Sequence, residues 1–572
     1  MNTHRPARRG PRAALLLRLL GALLGIGLVV NGAVTASAAN YLTISGSGSS
    51  WAGNALKQWV SEVKTEGVTV NYKDGGSSTG RKEFAQGVAQ FAISEIPYTG
   101  DTADATDSLR PDFAYGMLPV VAGGTSLMYN LPVAGSRFTD LKLSPAAIAG
   151  IFSGQINRWN DPAIAADNPG VALPDQRITV VVRSDGSGAT AQFTLWMKRQ
   201  FPDAYAHLCS TTGACDPNSA TSYYPINSVT MPNIIAQNQS SGVTNYTADN
   251  AYTINYDEYS YAQGVGFPVA QVKNTAGFYT VPSPGAVAVA LTQTQINTDA
   301  SSLNYLSQDL SNVYSYGDPR TYPLSMYSYA IVPHQETSYF TATQGATIGY
   351  LLRHSLCDGQ QSMGDLGYSP LPMNLVLAAL DQVVKVPGVD AETNASIAAI
   401  KTGTLSGGSN PCNNPTFQPG DSPSHNVLVD SAPFPAGCDA TCQGPWKLAG
   451  AGVNNGPSYG DGTTAGAADG ATGTNAGATS TTTGTGTTGT GAAGAPGTTA
   501  TKAQSCDPDT GVCTSIDTLN ASAAGNAKAV PAVIPGHLGW TTAQNLMIIS
   551  GILVIGLVLA PPLVSGLARR RR

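Results

Sequence analysis

The chain has 572 residues, of which only 12% are charged and 64 are glycine, so a good part of its length cannot be packed core. Five of the 30 basic residues lie before Asn40 and four end the chain, leaving 21 against 36 acidic residues between them, a balance of −15. That balance, with no basic patch, argues against nucleic acid as a partner, and any anionic ligand must be caught by local donors against an unfavourable field.

Arg5, Arg8, Arg9 and Arg12 precede the apolar run Ala13 to Val30, and Ala36-Ser37-Ala38-Ala39 supplies small residues for cleavage, so residues 1–39 are predicted to be a secretory signal. Three units of one kind then follow. Asn40 to Ile44 is a predicted strand, Ser45-Gly46-Ser47-Gly48-Ser49-Ser50-Trp51 a small-residue loop, and Ala55 to Lys64 a helix with Leu56, Trp59, Val60 and Val63 on one face. Val68 to Tyr72, the Gly75 to Gly80 loop and the Arg81 to Val88 helix repeat the pattern, and Phe91 to Ile93 is a short buried strand ending at Ser94-Glu95. The third unit has Ile178 to Val182 as strand, Arg183-Ser184-Asp185-Gly186-Ser187-Gly188-Ala189-Thr190 as turn and Ala191 to Gln200 as helix. A strand-to-helix junction of this composition is an anion seat, because the first N–H groups of a helix lack carbonyl partners and arginine adds a charged fork. Alternating strands and helices predict an α/β fold with a mostly parallel sheet and ligands beyond the strand ends.

Further along, Leu118 to Val121 and Thr125 to Asn130 are read as carrying the chain into a second lobe, and Tyr322 to Val332 as the strand that brings it back. Ala146 to Phe152 and Asp161 to Ala166 are predicted short helices, and Leu371 to Val384 a closing helix. From about Asn394 order is not expected, and the Gly/Thr/Ala tract from Gly450 to Thr501 has too little apolar bulk to bury a core. As a coil of roughly 90 residues the tether would span about 50 Å. Leu546 to Leu567 is an uncharged apolar run long enough to cross a bilayer, and Arg569 to Arg572 are expected to stay cytoplasmic. The chain is therefore expected on the extracellular face of the cell membrane, single-pass, with residues 568–572 inside.

Eight cysteines follow the signal, and an even number in an exported chain suggests disulfides. The local pairs Cys209–Cys215, Cys438–Cys442 and Cys506–Cys513 would leave Cys357 with Cys412. No Cys/His spacing matches a zinc site, and neither metal nor cofactor is expected.

The loops and their order resemble the substrate-binding protein of phosphate ABC importers, of the type II periplasmic-binding-protein class. The resemblance runs from Tyr41 to Val386 through Gly46 to Trp51, Asn71 to Gly80, Phe91 to Pro97, Ile151 to Ala165, Arg183 to Thr194, Tyr256 to Ala262 and Leu366 to Pro372. It implies a two-lobed fold with a hinge over residues 40–400, lobe 1 being 40–122 and 322–400 and lobe 2 being 123–321. A tether over 401–545 and a membrane helix over 546–567 complete the expected organisation. It implies that Ser50 and the Trp51 backbone, Ser77, Arg183, and Ser187 with the Gly188 backbone hold phosphate or another tetrahedral oxyanion, and that Glu95 accepts a proton from it. Asp185 would orient Arg183. A permease in the membrane is the implied partner, and a monomer the expected state. Two positions depart: Glu95 stands where the family usually has Asp, and Ala189 where it usually has Thr, a hydroxyl that Thr190 or water would have to replace.

Two rival readings come from the residues. Gly76-Ser77-Ser78-Thr79-Gly80 fits a G-x-S-x-G nucleophile elbow, which would make Ser78 the nucleophile of a hydrolase or phosphatase, with His334, His354 and His425 as the histidines on offer. Alternatively the chain is a cell-surface interaction or sensor protein that kept the fold and altered the ligand.

Overall fold

The computed structural model describes residues 41–100, 109–435, 437–438, 504–506 and 513–515. The predicted signal, the Gly/Thr/Ala tract and the predicted membrane helix lie outside the described residues. Among the described residues no helix is long and apolar enough to cross a membrane.

The first two predicted units form β1 (Ile44–Gly48), α1 (Gly53–Thr65), β2 (Val70–Lys73), α2 (Ser77–Ala85) and β3 (Phe91–Ser94). Strand β1 pairs in parallel with both β2 and β3. The Ser45 to Gly48 stretch, expected as loop, is therefore the body of a paired strand, β1. Small residues are required there because Phe91 lies over the backbone: a Cβ on Gly46 would come within 2.1 Å of its ring.

The long β4 (Tyr115–Ser126) leads into the short β5 (Tyr129–Asn130). The third predicted unit is β6 (Thr179–Arg183) and α3 (Gly188–Gln200), followed by β7 (Ile234–Gln237), α4 (Gln239–Asp249), β8 (Thr253–Asn255) and β9 (Asp257–Glu258). Strand β10 (Ser325–Pro333) returns to the first sheet, α5 (Ala342–Leu356) and α6 (Met373–Val383) pack on that sheet, and α7 (Ala391–Leu405) packs on α5. The first sheet has six strands in the order β9-β4-β10-β3-β1-β2, and the second has four in the order β7-β6-β8-β5. The first sheet is mixed, not mostly parallel, because β10 runs antiparallel to β3 and β4, and β9 antiparallel to β4.

Two segments cross between the sheets side by side, β4 to β5 through Leu127 and Met128, and β8 to β9 through Tyr256, with Asn255 N–H donating to Met128 O at 2.9 Å. The lobe boundaries expected at 122/123 and 321/322 shift accordingly. Strand β4 stays in the first sheet to Ser126, and the helix Pro284–Leu291 already packs on β4 and β10. Hydrogen-bonded pairing decides these boundaries, and an apolar run alone does not mark where its partner strand ends.

The folded part also continues past residue 400, where tether was expected. Helix α7 extends to Leu405, Cys412 is disulfide-bonded to Cys357, and Phe417 is buried in the main core. Beyond it, Arg320 is buried in an ion pair with Asp318, donates to Val429 O at 2.7 Å and stacks 4.7 Å from the Phe434 ring. A disulfide and buried polar anchors hold this segment in place of a large apolar face. Cys209–Cys215 is present as expected, and Cys442 lies outside the described residues. By itself, the short hairpin Gln504–Cys506 with Cys513–Ser515 places Cys506 opposite Cys513 in backbone register.

His334 follows β10 and its imidazole covers Gly116, where a Cβ would come within 2.2 Å of the ring. Burial, reinforced by Lys385, lowers its pKa from 6.5 to about 4. A histidine held neutral in the fold contributes stability above its unfolded pKa and loses it as pH falls through the folded value. Folding free energy attributable to His334 should therefore drop by about 3 kcal/mol across that window. Urea unfolding of wild type and His334→Phe at a series of acidic pH values checks this, with the steeper acid loss expected in the wild type. Parallel curves would refute the assignment.

Candidate functional site

The site is built where strands feed helices. At the end of β1, Gly48 has φ +143°, and a Cβ there would lie 2.0 Å from Ile93 O, so only glycine lets the chain turn against β3. This turn delivers Ser50 and Trp51, both 1% exposed, to the start of α1. The Trp51 ring meets Tyr368 edge-on, and its carbonyl accepts from the Tyr368 hydroxyl at 2.7 Å. At the end of β2, Gly76 (φ +93°) places Ser77 as the first residue of α2. Glu95 follows β3 directly and is buried.

The second sheet supplies the opposing groups. Arg183 ends β6, and Ser187 caps α3, its Oγ accepting from Thr190 N at 3.3 Å. Arg183 presents Nε and Nη2 to the two oxygens of Asp185, a fork-to-carboxylate pairing. Asp185 Oδ1 in turn accepts from Gln239 N at 2.9 Å. Asp185 thus holds two of the three guanidinium nitrogens. The remaining nitrogen, Nη1, faces Ser240 Oγ at 3.3 Å and Asp257 Oδ2 at 3.7 Å.

The two sheets interlock through these groups. Ser50 Oγ is 2.9 Å from Ser240 Oγ and accepts from Ser240 N at 3.0 Å. Ser77 Oγ donates to Glu95 Oε2 at 2.7 Å and accepts from Gly188 N at 3.1 Å. Ser328 on β10 donates to Glu95 Oε1 at 2.7 Å, and Gln192 of α3 donates to the Glu95 carbonyl at 2.9 Å. A Cβ on Gly188 would lie 2.0 Å from Glu95 Oε2, so the longer acid reaches the N-terminus of α3 itself. Thus Ser50, Ser77, Glu95, Arg183, Ser187 and Gly188 meet in one place, at the N-termini of α1, α2 and α3.

Ala189 and Thr190 are both fully buried. The Thr190 hydroxyl is 2.5 Å from the Tyr256 hydroxyl and is committed there, so it does not replace the hydroxyl that Ala189 lacks.

Three site residues escaped the sequence reading: Ser240, Asp257 and Ser328. Ser240 sits at the start of α4 after β7, in Gln239-Ser240-Ser241-Gly242, a fourth junction of the kind already recognised. Asp257 lies in a stretch marked only by resemblance, and Ser328 is mid-strand with no local signal.

One guanidinium thus faces two carboxylates, Asp185 and Asp257. Burial opposes charge on Arg183, but Asp185 first and then Asp257 raise its pKa above the ordinary arginine value. Burial raises the Asp257 pKa from 3.8 to about 6, against the pull of Arg183. Neighbouring Glu258 is pushed well above the usual carboxylate range, chiefly by burial.

The elbow serine is not arranged for nucleophilic attack. Ser78 Oγ donates to Ser222 Oγ at 3.1 Å, and its N–H to Gly186 O at 3.0 Å. His334 is buried beside Gly116, His354 is 2.7 Å from Glu62, and His425 lies between Asp421 and Asp430. Among the described residues no group of three or more His, Cys, Asp or Glu is placed to hold a metal ion.

Two sheets joined by paired crossings, with helix N-termini facing each other across the join, define a two-lobed α/β binding-protein fold. A family model described as the PBP superfamily domain matches residues 33–350. The phosphate-binding protein PstS3 of Mycobacterium bovis is 30% identical over 337 residues, 58% of this chain and 83% of that protein. PstS of Xylella fastidiosa is 28% identical over 334 residues, 58% of this chain and 82% of that protein. PstS of Pasteurella multocida is 32% identical over 256 residues, 44% of this chain and 67% of that protein. The chain belongs to the PBP superfamily and is a homologue of the PstS phosphate-binding proteins. These relatives are named as binding proteins, not enzymes.

Proposed function

We propose that this protein is an extracytoplasmic receptor for inorganic phosphate, held to the membrane by its C-terminal segment and delivering its ligand to an ABC permease. The observation that carries the reading is the convergence of Ser50, Ser77 and Gly188 with the Arg183 fork and the Glu95 acceptor, from both sheets, on one seat. Helix N-termini and hydroxyls would hold the oxyanion, and Arg183 Nη1 would supply the charge-assisted bond. Ser50 would exchange its bond to Ser240, and Ser77 its bond to Glu95, for bonds to the ligand. Because those groups come from both sheets, the ligand favours the arrangement in which they are together.

Glu95 confers the selectivity. A carboxylate facing the ligand accepts from a protonated oxygen and repels a bare one, so sulfate is rejected. Calorimetry of the purified exodomain should give phosphate an affinity at least about a hundredfold above that for sulfate, the like-charge contact costing several kcal/mol. Equal affinities would overturn the selectivity, and silence with both anions would favour a surface interaction role.

A further inference from the structure

Asp257 has a free acceptor inside the proposed seat. Its Oδ1 accepts from Ser240 Oγ at 2.9 Å and from Glu258 N at 2.7 Å, while Oδ2 has no hydrogen-bond partner among the described residues. The side chain is 3% exposed, and Oδ2 lies 3.7 Å from Arg183 Nη1, the one guanidinium nitrogen not held by Asp185. Ser240 Oγ joins Asp257 directly to Ser50 Oγ. A buried carboxylate oxygen with no donor is costly, and it persists here next to the residues that would grip a ligand.

We infer that Asp257 is a second proton acceptor of the oxyanion seat, so that the pocket takes phosphate in its doubly protonated, singly charged form. This rests on the phosphate reading. The monohydrogen dianion has one proton, which Glu95 takes, and it would turn a bare oxygen toward Asp257. The dihydrogen anion satisfies both carboxylates and leaves its two unprotonated oxygens for Arg183, the serines and the helix N-termini. A proton residing on Asp257 instead is equivalent for binding, because the complex holds one proton more either way.

The groups that face Asp257 decide where its proton lies. Arg183 on β6 favours the carboxylate, whereas burial and Asp185 favour the acid. Tyr256 and Tyr261 couple to it and have raised pKa values themselves, and Glu258 is held toward its neutral form by burial. None of these neighbours supplies a second positive charge.

The test is phosphate calorimetry on the exodomain and on Asp257→Asn, in buffers of different ionisation enthalpy, from about pH 6 to about pH 8.5. Wild type should take up about one proton per phosphate at the alkaline end, its affinity falling about tenfold per pH unit there. At that alkaline end Asp257→Asn should take up close to none and keep its affinity nearly constant, binding about tenfold tighter than wild type. The same proton uptake and pH slope in both proteins would overturn the role of Asp257 while leaving the phosphate receptor intact. No phosphate binding by either protein at any pH would overturn the receptor and this inference together. Should the variant fail to fold, a flat wild-type affinity across the range overturns the inference by itself.

Discussion

Arg183→Met is expected to abolish oxyanion binding and to remove about 3–5 kcal/mol of folding stability, the usual cost of breaking a buried ion pair by deleting one partner. Both effects have one cause. The guanidinium is 1% exposed and is the cation for two carboxylates, Asp185 at 10% and Asp257 at 3% exposure. Without it those two carboxylates stay buried with no positive charge beside them, and an anion arriving there meets only like charge. Loss of the charge-assisted bond and of that neutralisation should weaken phosphate binding by at least about a thousandfold.

The pH dependence of the damage has a definite sign. Asp257 has a folded pKa of about 6 against 3.8 unfolded, so the fold favours its acid form, and stability is lost as pH rises through the folded value. Removing Arg183 raises that folded pKa further. The stability gap between variant and wild type should thus widen above about pH 6 and narrow toward about pH 4. Urea unfolding at the two pH values, with calorimetry at neutral pH, checks both parts. Near-wild-type stability, or phosphate affinity within about tenfold, would show that Arg183 is not the electrostatic centre of the site. Arg183→Lys should recover part of the stability but little binding, because one ammonium cannot face Asp185 in two places and also present a third donor to the ligand.

What could be read in the sequence follows from how local each feature is. Ser77, Arg183, Ser187 and Gly188 stand at strand-to-helix junctions, and a junction announces itself within ten residues through glycine, serine and a change of hydrophobic period. Within each sheet the ends of parallel strands share a side, but that Ser77 of the first sheet meets Gly188 of the second was implied only by the resemblance. The partners that finish the site are not local: Ser240 meets Ser50 across 190 positions, and Ser328 meets Glu95 across 233. Ser328 lies on a strand buried along its whole length, where nothing distinguishes a serine that packs from one that bonds an acid. Helix α4 was missed because Gln239–Asp249 is polar and short of apolar residues at helical spacing. The packed segment after Lys401 looked like tether because its anchors are a cysteine partnered 55 positions away and an arginine that reaches the Val429 carbonyl. Composition reports apolar burial and is blind to such ties.

Gly188→Ala is expected to weaken phosphate binding about a thousandfold, and Glu95→Asp to restore much of it in the double variant. The added Cβ would sit 2.0 Å from Glu95 Oε2 and 2.7 Å from Ser77 Oγ, both buried and both fixed in bonds. One of them has to move. If Glu95 swings away it leaves the hydroxyls of Ser77 and Ser328 and becomes a buried, unpaired acceptor. If Ser77 moves, Gly188 N–H loses its partner, and the first turn of α3 no longer meets α2. Either displacement takes at least one charge-assisted bond from the seat, worth about 1.5–3 kcal/mol, and adds the cost of an unsatisfied buried group. Aspartate is one methylene shorter and withdraws the carboxylate from the new methyl while keeping an acceptor. The rescue is therefore specific to the pair: Glu95→Asp alone should change affinity far less than Gly188→Ala, and a double-mutant cycle by calorimetry should return a large favourable coupling. Simple additivity of the two changes would mean that Glu95 does not reach the end of α3 in solution, and the acceptor of the site would have to be sought in Asp257 alone.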